Sequence, residues 1–353
     1  MRTLILSYQD VRAALAPGDC ADAMAEVLAA RARGEAYMPL RSVMMAPGAP
    51  GAMGLMPAYR ASRGEHTDGG RAGAFGEPAA GTDREWAAPG AFALKAICLM
   101  PANPGRGLDT HQGIVTLFDG ETGVPTAILN ASAVTEIRTA AVTAVATRLL
   151  ARDDARVLAI LGAGVQARAH LEALAAVRAF EQVRVHAPTT GHAQALADTL
   201  PSGGPTLAVA VSARAAIEGA DVVVTATSSR TPVLECDWLA AGAHVNAVGA
   251  STPMARELDV ATVAAGGLFC DSRESLRNEA GEYRLAIEEG AIDAETHVRG
   301  ELGEVLAGLR PGRRDALELT VFRSLGIAVE DLAAAEIAVA AAQRLGLGTE
   351  VQL

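Results

Sequence analysis

An apolar run that strikes a glycine turn and leaves it as a helix limits a chain to few architectures. Residues 156–177, RVLAILGAGVQARAHLEALAAV, have this form. Val157 to Leu161 are continuously apolar, as expected of a strand covered on both faces in a parallel sheet. In the turn, Gly162 can take a conformation closed to other residues, Gly164 lets the backbone approach a pyrophosphate, and Ala167 is small where helix and strand pack closely. The helix N-terminus then offers free N–H groups and partial positive charge to phosphates. A bare GxGxxA is weak evidence. A strand before it, a helix after it and a second strand at Val183–His186, about twenty residues on, turn it into an expected dinucleotide site.

A chain of 353 residues is long for one core, so two domains are expected. A net charge of −11, with no basic run, argues against nucleic acid or an anionic membrane as partner and for a small-molecule role. No window reaches membrane-spanning length and the apolar start is too short for a signal peptide, so a cytoplasmic protein is expected. Four cysteines (Cys20, Cys98, Cys236 and Cys270) lie far apart without a CxxC, which reads as small core residues rather than a metal or redox site.

In chain order, Thr3–Leu6 reads as a strand, Ser7 and Asp10 as a capping box, and Val11–Leu15 and Ala21–Arg33 as helices, with Gly34 as a stop. Arg41 follows a proline before the extended Val43–Met45. Strands are expected at Met53–Tyr59 and Ala91–Leu99, and again at Ile114–Phe118 and Pro125–Leu129 around a hairpin. Strands in series without helices imply an antiparallel or mixed sheet. Residues 60–89, rich in Gly, Ala and charge, have the composition of a mobile insertion or a lid. Lys95 interrupts an apolar strand, where an ammonium is expensive unless it has a partner or a task; a lysine snorkelling at a strand edge is the plainer alternative. Val134–Leu150 is a helix with Arg138-Thr139-Ala140-Ala141 near its head, placed to meet an anion although an exposed arginine is commoner.

Beyond the glycine turn, a helix at Gly191–Leu200 and strands at Leu207–Val211, Asp221–Thr227, His244–Val248 and Gly267–Cys270 alternate with short helices or turns. This specifies a doubly wound sheet, with Thr225–Ser228 and Gly249–Ser251 facing the cofactor cleft. Glu301–Leu306 is a helix and Leu319–Arg323 a strand. Ser324-Leu325-Gly326 then turns into Val329–Leu345, a helix apolar nearly all round and so buried, against the first domain or a second subunit.

Taken together, MPLR (38–41), LMPAY (55–59), Lys95, THQG (110–113), EIRTAA (136–141), ILGAGVQA (160–167), HVNAVGAS…REL (244–258), ELGEV (301–305) and TVFRSLGIAVED (320–331) resemble the ornithine cyclodeaminase/mu-crystallin family. The resemblance implies an α/β protein with a Rossmann doubly wound sheet at 138–327. An α+β substrate-binding and dimerisation domain would be built from 1–137 and 328–353. It implies a homodimer, with Arg41, Lys95 and Arg138 around a substrate carboxylate and Leu325 and Gly326 beside the substrate. Cofactor contacts would come from Arg138, Thr139, Gly162, Ala163, Gly164, Val165, Gln166, Ala187, Thr189, Thr225, Thr227, Val248, Ser251 and Ser324. Two guanidinium forks and an ammonium suit a carboxylate on chemical grounds as well.

Two departures choose the branch. Where cyclodeaminases carry an aspartate within the motif read here as VGAST (248–252), this chain has Ser251; where they carry a glutamate before LMP, it has Gly54. Without these acids the ring-closing step has no general base, and the mu-crystallin branch, which reduces cyclic ketimines, is the nearer one. The expected reaction is reduction of a C=N bond conjugated to a carboxylate, with Lys95 or a water near Ser251 managing the imine proton. The end of the second strand, His186-Ala187-Pro188-Thr189-Thr190, has no acid for a 2′-hydroxyl and no arginine for a 2′-phosphate. The balance favours NADPH over NADH, with Thr189, Thr190 and His192 as phosphate partners. Alternatives are an amino-acid or opine-type dehydrogenase, a cyclodeaminase, and a non-catalytic NADPH- and carboxylate-binding protein. No metal is implied.

Overall fold

The continuous apolar run after Arg156 does form a central strand. A computed structural model of the chain describes residues 2–61, 90–199 and 204–353, so the expected insertion at 60–89 lies, after Ala61, outside the described residues. The chain divides into two compact units: one of residues 1–16, 26–135 and 327–353, the other of residues 17–25 and 136–326. Pro17–Ala25, grouped by sequence with the first domain, clusters with the second unit.

The first unit is built on a mixed sheet. Its strands are β1 (Arg2–Leu6), β2 (Ala36–Tyr37), β3 (Ser42–Met44), β4 (Ala52–Arg60), β5 (Ala91–Leu99), β6 (His111–Asp119), β7 (Pro125–Asn130) and, from the far end of the chain, β16 (Thr349–Gln352). The order is β16-β1-β7-β6-β5-β4-β2, with β3 also on β4, and only the β1–β7 pair is parallel. Alternation sets the faces: Met56, Ala58, Ala93, Lys95, Ile97, Val115 and Leu117 are buried. Against β4, β5 and β6 lies the long helix Ala328–Leu345, whose alanines allow close approach and which ends at Gly346 with φ 66°. Asp10 and Ser7 form the expected capping box of α1 (Tyr8–Ala14).

The second unit holds β8 (Val157–Leu161), β9 (Gln182–His186), β10 (Thr206–Val209), β11 (Val222–Thr225), β12 (His244–Ala247), β13 (Gly267–Cys270), β14 (Val298–Glu301) and β15 (Thr320–Arg323). All pairs are parallel, in the order β10-β9-β8-β11-β12-β15-β13-β14. This is the α/β sheet expected, with its switch point between β8 and β11. Both faces are covered: Leu158, Ile160, Val222 and Val224 join one apolar layer, Ala159, Leu161, Val223 and Val245 the other. A side chain as fully buried as Ile160 contributes roughly 2 kcal/mol. Sequence overran the third strand, since Val211 is exposed, and missed β2, β14 and β16 together with the helices Arg273–Glu279 and Gly281–Glu288. Cys20 and Cys270 are buried; Cys98 and Cys236 are only partly so.

Two buried imidazoles sit in this unit. The Gln166 carbonyl, which can only accept, takes the Nδ1 proton of His170 at 2.7 Å, leaving Nε2 toward Thr143 Oγ1. His244 lies between Thr320 Oγ1 and Asn246 Oδ1. Burial lowers His170 to about 4 and His244 to about 3, so both are neutral in the folded protein. An unfolded chain protonates each near pH 6.5. Stability is therefore complete above that pH and falls as pH drops toward each depressed value, by up to about 1.4 kcal/mol per pH unit per group. Urea midpoints are expected to decline from pH 7 to pH 5, and the decline to be shallower in His170→Gln.

Candidate functional site

The glycine turn closes between β8 and the helix α4 (Val165–Val177). Gly162 has φ 116°, and a Cβ there would stand 2.4 Å from the Ala226 carbonyl oxygen, so only glycine lets the ends of β8 and β11 approach at the switch point. Its N–H donates to His186 O at 2.8 Å, tying in the end of β9. Gly164 differs, because a Cβ there meets nothing within 4 Å, and it caps α4 without a side-chain hydrogen bond. Ala163 and Val165 flank it, and Ala167 is fully buried against the sheet. Gln166 Oε1 and Ser324 Oγ are buried without a hydrogen-bond partner among the described residues. Open space above uncapped helix N–H groups, with orphan polar atoms close in sequence to the strand ends, fits a dinucleotide phosphate group.

Ala187 is buried at the end of β9, whereas Pro188, Thr189, Thr190 and His192 are exposed. Thr189 caps the helix Thr190–Ala197 without using its side chain. The hydroxyls at and just beyond the end of β11 are committed to one side chain. Thr225 Oγ1 donates to Glu257 Oε2 at 2.9 Å, and Thr227 donates through both its N–H and its hydroxyl to Glu257 Oε1 at 2.7 Å. Gly249 N–H completes the set at 2.6 Å to Oε2. Burial pushes the Glu257 carboxyl above the usual range, and the bonds from Thr227 and Thr225 pull the other way. Val248 is buried and Ser251 exposed.

Arg138 departs from expectation. The helix carrying it starts at Ala131, so Arg138 is two turns inside rather than at the head, and the argument from the helix terminus does not apply. Arg138 is buried, and so is Thr139 beside it. A Cβ on Gly326 would stand 2.6 Å from Arg138 Nη1 and 2.7 Å from Nη2, so the guanidinium lies close over this glycine, which has φ 73°. Asp271, at the end of β13, fixes the same turn: its Oδ2 accepts Leu325 N–H at 2.6 Å and Gly326 N–H at 2.7 Å.

In the first unit, Lys95 points into the core rather than to the strand edge. Its Nζ lies 2.7 Å from Asp331 Oδ2, with both side chains at most 3% exposed, and 3.5 Å from Thr135 Oγ1. Asp331 occupies the first turn of the helix Ala328–Leu345, where the macrodipole favours a carboxylate. Neither Asp331 nor Glu257 was singled out from sequence, although both are acids in apolar surroundings. Arg41 is half-buried just before β3, and Gly54 is buried on β4. Arg41 and Lys95 thus belong to the first unit and Arg138 to the second. Among the described residues no group of acids, cysteines and histidines is arranged to hold a metal, and no helix is long and apolar enough to cross a membrane.

The chain belongs to the ornithine cyclodeaminase/mu-crystallin family, whose model matches residues 84–343. It is 36% identical over 304 residues to the ketimine reductase mu-crystallin of Mus musculus, covering 86% of this chain and 85% of that one. The structure of Thermococcus litoralis Delta(1)-pyrroline-2-carboxylate reductase in complex with NADH and L-proline is similar at a TM-score of 0.87 and 32% identity, over 99% of this chain and 100% of the other. An archaeal alanine dehydrogenase dimer with bound NAD is similar at a TM-score of 0.86 and 30% identity, over 100% of both chains.

Proposed function

We propose that this protein is an NAD(P)H-dependent reductase of a carboxylate-bearing C=N bond, in a cyclic ketimine such as pyrroline-2-carboxylate or piperideine-2-carboxylate. The observation that carries the reading is the glycine turn at the switch point, with open room at Gly164 and orphan polar atoms at Gln166 and Ser324, in a chain of this family. When bound, the reduced nicotinamide supplies the hydride. Gly162 to Gln166 hold its phosphates, with Arg138, Thr139, Ala187, Thr189, Val248, Ser251 and Ser324, and backbone atoms at Thr225 and Thr227, assigned to the remainder.

Arg41, Lys95 and Arg138 are assigned to the substrate carboxylate, with Leu325 and Gly326 beside the ring; positioning of this kind can lower a barrier by several kcal/mol. Lys95, held by Asp331, is assigned the proton of the imine nitrogen, which makes the carbon electrophilic. Gly54 and Ser251 leave no acid at either position for a side-chain ammonium or for ring closure, which favours reduction over cyclodeamination. NADPH is assigned alongside NADH because the end of β9 carries no acid for a 2′-hydroxyl.

The test follows loss of nicotinamide absorbance with NADPH or NADH and either imino acid, alongside ammonia release from ornithine and NAD-dependent oxidation of alanine. Turnover only with ornithine or only with alanine overturns the reading; cofactor binding without turnover selects a binding protein.

A homodimer is also assigned. On one face of the first sheet, Leu55, Ala96 and Ile114 form one cross-strand row and Tyr59, Phe92 and Phe118 another. Leu55 is 39%, Phe92 46% and Ile114 44% exposed, an apolar surface that suits a second copy. Leu55→Glu is expected to yield monomer by light scattering.

A further inference from the structure

The loops after β11 and β12 are joined by one side chain. Glu257 has two carboxylate oxygens and four donors on them: Thr225 Oγ1 and Gly249 N–H on Oε2, Thr227 N–H and Thr227 Oγ1 on Oε1, all within 2.6–2.9 Å. The carboxylate is fully buried, so these bonds have no water to compete with them. The backbones also touch, since a Cβ on Gly249 would stand 2.1 Å from the Thr227 carbonyl oxygen and 2.4 Å from its nitrogen. Both loops leave the carboxyl ends of parallel strands next to the switch point, where ligands of such sheets bind.

We propose that Glu257 is a positioning residue that locks the loops after β11 and β12 into a single rigid floor for the nicotinamide cofactor. The inference rests on the dinucleotide part of the reading above, not on the imine. No side chain other than glutamate does this work. A glutamine has one oxygen and one NH2 group, and either orientation sets that NH2 against a backbone N–H, that of Gly249 at 2.6 Å or that of Thr227 at 2.7 Å. One loop must then move away from the other. An aspartate is one methylene short of spanning both loops.

The test uses Glu257→Gln in the full-length protein, read by calorimetric titration of the apoprotein with NADH and with NADPH, by thermal melting without cofactor, and by steady-state kinetics. The Kd for the better cofactor is expected to rise at least tenfold, while the KM for the imino acid at saturating cofactor stays within about twofold. A purely structural carboxylate would lower the melting temperature and leave Kd within twofold of the parent, and that outcome overturns the proposal. Should Glu257→Gln not fold, Thr225→Val decides: it removes one donor at constant shape, and a Kd at least threefold higher supports the proposal while an unchanged Kd overturns it. Wild-type protein that binds NADH but reduces neither imino acid would end the imine reading and leave the calorimetric comparison intact.

Discussion

Replacing Lys95 by methionine is expected to lower kcat for imine reduction by about 10²–10⁴-fold, the range for removing a positioned acid, while the Kd for NADH changes little. The ammonium sits at most 3% exposed and 2.7 Å from Asp331 Oδ2. Its charge is thereby neutralised from one side, and Thr135 Oγ1 lies 3.5 Å away. The variant also removes the cation that faces Asp331. Losing one partner of a buried pair costs about 3–5 kcal/mol, so a fall in melting temperature accompanies the loss of activity. Lys95→Met combined with Asp331→Asn separates the two effects, because the double variant should regain much of the stability and none of the rate. A single Asp331→Asn change keeps the lysine but loosens it, and an intermediate kcat is expected. Near-parental turnover in Lys95→Met would remove Lys95 from the mechanism.

A stability effect of the same size is expected at the pair of Arg323 and Glu282. The Arg323 guanidinium is 1% exposed at the end of β15, paired with Glu282, itself 2% exposed, and Nη1 donates to the carbonyls of Ala247 and Ser324. Two charges this deep repay their desolvation only together. Glu282→Ala should destabilise the protein by about 3–5 kcal/mol, a fall in melting temperature of roughly 10 °C for a unit of this size. Arg323→Met with Glu282→Leu, which removes both charges, should recover most of it by scanning calorimetry. A Glu282→Ala variant that melts within about 2 °C of the parent would show that water or another acid takes over, contrary to the geometry.

The parts of this fold that were legible are those governed by local rules. The apolar run at 157–161, the glycine turn and the alternation of strands with helices from Gln182 onward carry their own patterns, and β5 and β13 fall at the bounds read from sequence. The Ser7–Asp10 cap depends on four residues and was equally plain. Lys95 could be flagged because a charge inside an apolar strand needs a reason. Its partner is 236 positions later, and only three-dimensional pairing joins them. The same logic applied to Glu330 and Asp331, acids at the head of a helix that is mostly apolar, would have marked them. The strand Thr349–Gln352 escaped because it is short and mostly exposed, and its order comes from β1 rather than from its own sequence. Thr225–Ser228 reads from sequence as facing the cofactor cleft because strand ends do so on average, but where the hydroxyls of Thr225 and Thr227 go is not in that pattern. Glu257 claims them, and nothing within the DVVVTAT segment announces that.

The pairing of β1 with β16 sets the order in which the molecule can be assembled. Residues 2–5 find their partners at 349–352, so closing that edge joins the two ends of the described chain. The second unit needs mostly nearer neighbours and can settle while the nascent polypeptide is still being made. Until residues 328–345 emerge from the ribosome, the inner face of β4, β5 and β6 has no helix over it, and its Met56, Ile97 and Leu117 lie open to other chains. A ribosome-bound chain stopped before Ala328 is therefore the species on which a chaperone has most to act.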